Sequence, residues 1–257
     1  MQTTPPERPQ PPRRRFRSEL AAFLRDVRWM RLSPRRPGRR GGTGLAADWQ
    51  LQSRVTRLLA WALFLWGVNI FALGPLVLLA AGTGGAEHRI NLDNLPWMQA
   101  ILWAPIVEEL LFRYGLRRPV HMLWMVPMGG AALLMGPGFW AGALVALGLA
   151  LSVWHSRRPH PPSARWRPCM RRYIRLYPVV FHLATLAFAG LHLANYSLNA
   201  MPWWLMPVLV LPQWLTGLAL GWLRTRAGIV DAIVLHAIFN AGPVLLILLV
   251  MRGLAGG

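Results

Sequence analysis

The chain has 257 residues and a formal net charge of +19, with 14% charged residues against 54% hydrophobic ones. A soluble domain is about a quarter charged, so this balance excludes an ordinary soluble enzyme, and the apolar content excludes disorder along the whole length. One cysteine, Cys169, excludes a disulfide scaffold and reads as an incidental thiol in a reducing compartment. What remains is an all-α, polytopic membrane bundle whose charge is packed into a few segments.

All 28 basic residues are arginine. They flank apolar runs instead of forming a stripe, so a nucleic acid partner is not expected. Residues 1–53 read as a cytoplasmic tail rich in arginine and proline, and residues 54–257 as the transmembrane domain. Pro5, Pro6, Pro9, Pro11 and Pro12 discourage helix, and Gly38–Gly44 reads as linker. Between them Phe16, Leu20, Phe23, Val27 and Met30 recur at helical spacing, which predicts an amphipathic helix near 16–32. Two readings stand for it: a basic helix lying on an anionic leaflet, or a partly folded tail whose arginines only set topology. Arg14-Arg15-Phe16 is followed by charge and not by an apolar run with a cleavage site, so no cleavable signal is expected.

A spanning helix needs about 20 apolar residues. The runs Leu58–Ala81, Trp97–Leu116, Val120–Met135, Trp140–Trp154, Pro178–Asn195, Trp203–Leu223 and Ile229–Met251 predict about seven transmembrane helices. With the N-terminus cytoplasmic, 26 of the 28 arginines fall on inner segments and only Arg89 and Arg252 fall outside. Basic residues accumulate on the cytoplasmic side, so this split supports that orientation, with membrane lipid as the surroundings and the plasma (inner) membrane as the location.

Two of the nine acidic residues, Glu108 and Glu109, are adjacent inside an apolar run that also holds Arg113. Each ionisable group at a helix centre costs roughly 2.5–3.5 kcal/mol to insert, and residues so placed usually mark function. Glu109 and Arg113 are four apart and can pair, whereas Glu108 is rotated about 100° away and can face a cavity. His192 follows Phe188 by one turn, and His236 precedes Asn240 by one turn. His182 reads as a packing residue. Counted from the inner helix ends at 1.5 Å per residue, Glu108, His192 and His236 lie about 15, 21 and 12 Å deep, a similar level to within a turn or two.

The motifs E-E-x-x-x-R (Glu108, Glu109, Arg113), F-x-x-x-H (Phe188, His192) and H-x-x-x-N (His236, Asn240), in this order inside apolar helices, resemble those of the CAAX prenyl endopeptidase and bacteriocin-processing family, the CPBP or Abi intramembrane proteases. Gly217, Gly221, Arg224 and Gly228 ahead of the third motif are also similar to that family, and the resemblance covers about residues 97–245. The gap between the first two motifs is longer than usual and holds the Val120–Trp154 hairpin. The resemblance implies an endopeptidase cutting membrane-anchored or hydrophobic peptides. Glu108 would activate water, His192 and His236 would position it, Asn240 would stabilise the oxyanion, and Glu109 with Arg113 would brace the site. Glu108, His192 and His236 could also hold a divalent metal such as zinc, and the residues leave open whether one takes part. A non-enzymatic immunity or scaffold protein of the same fold, or a transporter or proton pathway, are the alternatives. Gly217 and Gly221 are expected to let two helices approach, and Asp231 to pair with Arg224, Arg226 or a helix N-terminus.

Overall fold

The computed structural model describes residues 15–32, 35, 44–89, 96–158, 166–199 and 201–255. The proline run of residues 5–12 and the glycine stretch of residues 38–43 lie outside the described residues. The described chain is mostly helical: α1 Phe16–Val27, α2 Val55–Gly84, α3 Ala104–Phe112, α4 Met122–Met135, α5 Phe139–Arg157, α6 Trp166–Leu191, α7 Leu211–Arg226 and α8 Ile229–Ala255. Two short strands, β1 Glu87–His88 and β2 Tyr196–Ser197, pair antiparallel beside the end of α6.

Among the described residues four helices are long and apolar enough to cross a membrane: Val55–Gly84, Phe139–Arg157, Pro168–Asn195 and Ile229–Arg252. They match the first, fourth, fifth and seventh predicted runs. The third, Pro119–Met135, is a shorter apolar helix. The second ends early, because α3 stops at Phe112 and a 3-10 turn Tyr114–Arg117 follows. The sixth is broken: Met206–Leu209 and α7 each start on a proline at their first turns, Pro207 and Pro212. Proline disfavours helical backbone in the residue before it, which is why the run does not form one rod. The fifth predicted run starts too late in the chain. Pro178 lies inside α6, which begins at Trp166. Phe71, Leu134 and Phe139 stand 82, 87 and 80% exposed on helix surfaces, as side chains facing lipid do.

The apolar stripe of α1 packs on protein. Phe23 meets Trp61 of α2 and Trp222 of α7 with ring centroids 5.4 and 5.9 Å apart, and Phe16 meets Trp61 at 5.3 Å. Asp26 accepts from Trp222 Nε1 at 3.2 Å and pairs with Arg226. The stripe that could have met a leaflet is therefore used up by the bundle, while Leu24 and Trp29 on other faces stay exposed. The main core joins α1, α2, α6 and α7 around Trp61, Trp222, Tyr177 and Phe181. Small residues make the α6–α7 contact possible. A Cβ on Gly221 would sit 2.7 Å from Phe181 Cε2, and one on Gly217 would sit 3.0 Å from Phe188 Cδ1.

Candidate active site

The site lies where α3, the end of α6 and α8 meet. Polar side chains in an apolar bundle must find partners in one another, because water is excluded. Glu109 is fully buried; its Oε1 accepts from Arg113 Nη1 and lies 2.9 Å from His236 Nδ1. An ionised carboxylate can only accept, so His236 Nδ1 carries a proton; in the neutral ring Nε2 is then an acceptor. That Nε2 lies 3.8 Å from Glu108 Oε2, beyond hydrogen-bond distance. Glu108 Oε2 is buried and makes no hydrogen bond to any described residue.

Phe188 is the hub. Its ring lies under the Arg113 guanidinium at 3.9 Å and meets the rings of His192 and His236 at 4.8 and 5.6 Å. His192 sits just past the last turn of α6, with Nδ1 2.8 Å from the Phe188 carbonyl. A carbonyl also only accepts, so Nδ1 is again the protonated nitrogen and Nε2 is the acceptor. His182, by contrast, packs on the Phe181 ring at 5.3 Å.

Asn240 is placed by a proline. A π-turn, Gln99–Trp103, precedes α3, and Ala104 N–H bonds to the Gln99 carbonyl five residues back. In that register the Ala100 carbonyl would need an N–H from residue 105, which is proline. Asn240 Nδ2 supplies the donor instead, at 2.9 Å. One of its two N–H bonds is thereby used, and the second has no partner among the described residues. The same logic recurs one turn away: Pro243 frees the Phe239 carbonyl, and Trp66 Nε1 donates to it at 2.9 Å.

The structure thus brings Arg113, His192 and His236 against Phe188, with Glu109 bonded to Arg113 and His236 and Glu108 beside His236, and ties Asn240 to the turn that leads into α3. Among the described residues no three His, Cys, Asp or Glu side chains form a group that could hold a metal ion. Of the alternatives for Asp231, the helix N-terminus is where it lies: it sits in the first turn of α8 and accepts the backbone N–H groups of Gln52 and Ser53 at 3.0 and 2.6 Å, with no ion pair to Arg224 or Arg226 among the described residues. Arg224 is bound by Asp48, a residue the sequence reading passed over. The signal for it was an acidic residue just ahead of the first spanning helix in a chain with three times as many arginines as acids.

Residues 91–242 match the Type II CAAX prenyl endopeptidase Rce1-like family. No curated protein and no solved structure matches the chain. The matched segment spans more than half of the chain and contains all three motifs, so the protein belongs to the Rce1-like family of type II CAAX prenyl endopeptidases.

Proposed function

We propose that this protein is an intramembrane endopeptidase of the plasma (inner) membrane, with its N-terminus cytoplasmic, that hydrolyses membrane-anchored or hydrophobic peptides with water activated by Glu108. The observation that carries the reading is the division of labour between adjacent glutamates. Glu109 is held by Arg113 and His236, whereas Glu108 Oε2 has no hydrogen-bond partner among the described residues and lies 3.8 Å from His236 Nε2, an acceptor when that ring is in its neutral Nδ1–H form.

A water about 2.8 Å from both Glu108 Oε2 and His236 Nε2 closes a triangle on their separation. Its two O–H bonds point at the two acceptors, and its lone pairs point away, toward a peptide carbonyl. Glu108 takes one proton as the water oxygen bonds to the carbonyl carbon. The π electrons move to the carbonyl oxygen, and the second N–H of Asn240 donates to that oxyanion. Collapse breaks the C–N bond, and the proton held by Glu108 goes to the leaving amine. Glu109 and Arg113 are positioning residues, because they set the tautomer and orientation of His236. On this reading His192, at the end of α6 with its ring on Phe188, orders the water from the other side.

The test is membrane-proteome N-terminomics on host cells expressing wild type or Glu108→Gln at matched levels, followed by purified protein and an internally quenched peptide ending in a farnesylated CAAX sequence. New N-termini that appear only with the wild type support the reading. Identical N-terminomes from two folded, inserted proteins would instead favour an immunity or scaffold role.

A further inference from the structure

The residues leading into α2 run beneath both helices that supply the site. Leu45–Asp48 makes one helical turn, and Asp48 is fully buried within it. Its Oδ1 lies 3.2 Å from Arg224 Nη1 and 3.1 Å from Arg35 Nη1, and its Oδ2 lies 3.2 Å from Arg118 Nε. Arg224 is fully buried too. Its remaining nitrogens donate to the carbonyls of Arg113 and Tyr114, each at 3.2 Å. Those carbonyls lie just past the C-terminus of α3, where the helix dipole is negative and a cation is favoured. Asp48 thereby holds, through Arg224, the end of the helix that carries Glu108, Glu109 and Arg113.

The same segment grips α8. Fully buried Asp231, in the first turn of α8, accepts the N–H groups of Gln52 and Ser53. His236 lies five residues further along that helix. One end of the segment is thus tied to α3 and the other to α8, and the Glu109–His236 bond of 2.9 Å joins the same two helices. Asp48, Gln52 and Ser53 all precede the segment that matches the family.

We propose that residues 44–53 are a strap that sets the spacing of the two site helices, with Asp48 and Asp231 as its positioning residues. Its effect on turnover rests on the proteolytic reading; its effect on helix geometry does not. Displacement of a reacting group by 1 Å costs on the order of 100-fold in rate, so a loosened strap acts on kcat more than on KM.

The experiment compares the full-length wild type with Asp48→Asn, Asp48→Glu and Asp231→Asn in lipid nanodiscs. Three quantities are read: kcat and KM on the farnesylated quenched peptide, the melting temperature, and amide hydrogen exchange over residues 104–117 and 229–237, with 139–157 as the reference. The strap predicts that Asp48→Asn and Asp231→Asn lower kcat by about ten-fold or more with KM within about two-fold. Asp48→Glu should recover most of the rate. Exchange should quicken over 104–117 and 229–237 and stay unchanged over 139–157. Folded Asp48→Asn with wild-type exchange in both site helices overturns the strap, as does a uniform rise in exchange over all three segments. A wild type that cleaves no peptide counts against the protease reading, and the exchange data then decide the strap alone.

Discussion

The seam between α3 and α8 and the α4–α5 hairpin are both built in apolar sequence, yet they are held in opposite ways. The seam is joined by polar contacts between residues far apart in the chain, Glu109 with His236 and Asn240 with Ala100, and α8 is tied in the same way to α2 and the residues before it by Trp66 with Phe239 and Ser53 with Asp231. The hairpin holds itself together locally. Trp124 Nε1 donates to Ser152 at 2.9 Å, and Ser152 donates to the Gly148 carbonyl one turn away. Its outer surface is large and apolar, as at Leu134 and Phe139. A buried polar atom is expensive to leave unpaired, so the seam specifies one arrangement of its helices. The hairpin needs only apolar contact with lipid and neighbours. This difference fits a site in the seam and a replaceable wall in the hairpin, which occupies the longer gap between the first two motifs.

The contrast can be broken most forcefully at Arg113. Arg113→Gln leaves Glu109 as a buried carboxylate without its cation, and a loss of about 3–5 kcal/mol of stability is expected in detergent unfolding titrations. Stability within experimental error of wild type would show that the seam is not what holds α3. Next in size is Asn240→Ala. It removes the proposed oxyanion donor and orphans the Ala100 carbonyl, so kcat should fall by about 100-fold or more, measured on purified protein. An unchanged kcat would remove Asn240 from the chemistry. Trp66→Phe keeps the ring but leaves the Phe239 carbonyl without a donor, since Pro243 cannot serve it. About 1–3 kcal/mol should be lost, read from the unfolding midpoint. Leu134→Ala in the hairpin sharpens the comparison from the other side. This side chain is 87% exposed, so the change in stability should stay within about 0.5 kcal/mol in the same titration.

Much of the seam is legible in the sequence, for a physical reason. Charge is so costly in an apolar helix that Glu108, Glu109 and Arg113 stand out, and the spacing of four identifies the Glu109–Arg113 pair. The histidine and asparagine positions follow from the same argument. Less legible is how far each helix runs. Pro178 reads as a helix start but lies inside α6, because a proline in a long helix costs one hydrogen bond without ending it. Conversely, Pro207 and Pro212 divide a run that hydropathy alone treats as continuous. The long-range contacts of Asp48 and Asp231 are illegible in another way. Asp48 reaches Arg224, and Asp231 reaches the Gln52 and Ser53 N–H groups, across well over a hundred residues, and no spacing rule connects such distant positions. The amphipathic stripe of α1 is visible as periodicity, but periodicity does not say whether protein or lipid covers it. Trp61 and Trp222 cover it here.

The central claim is that Glu108, and not its neighbour, activates the water. The direct measurement is cleavage of the farnesylated quenched peptide by purified wild type and Glu108→Gln reconstituted at equal density in liposomes, with melting temperatures recorded on the same samples. The account predicts that Glu108→Gln melts within a few degrees of wild type, because Glu108 Oε2 has no hydrogen-bond partner among the described residues to lose, while kcat falls by about 1,000-fold or more. A folded Glu108→Gln that still cleaves at a rate near wild type would contradict it.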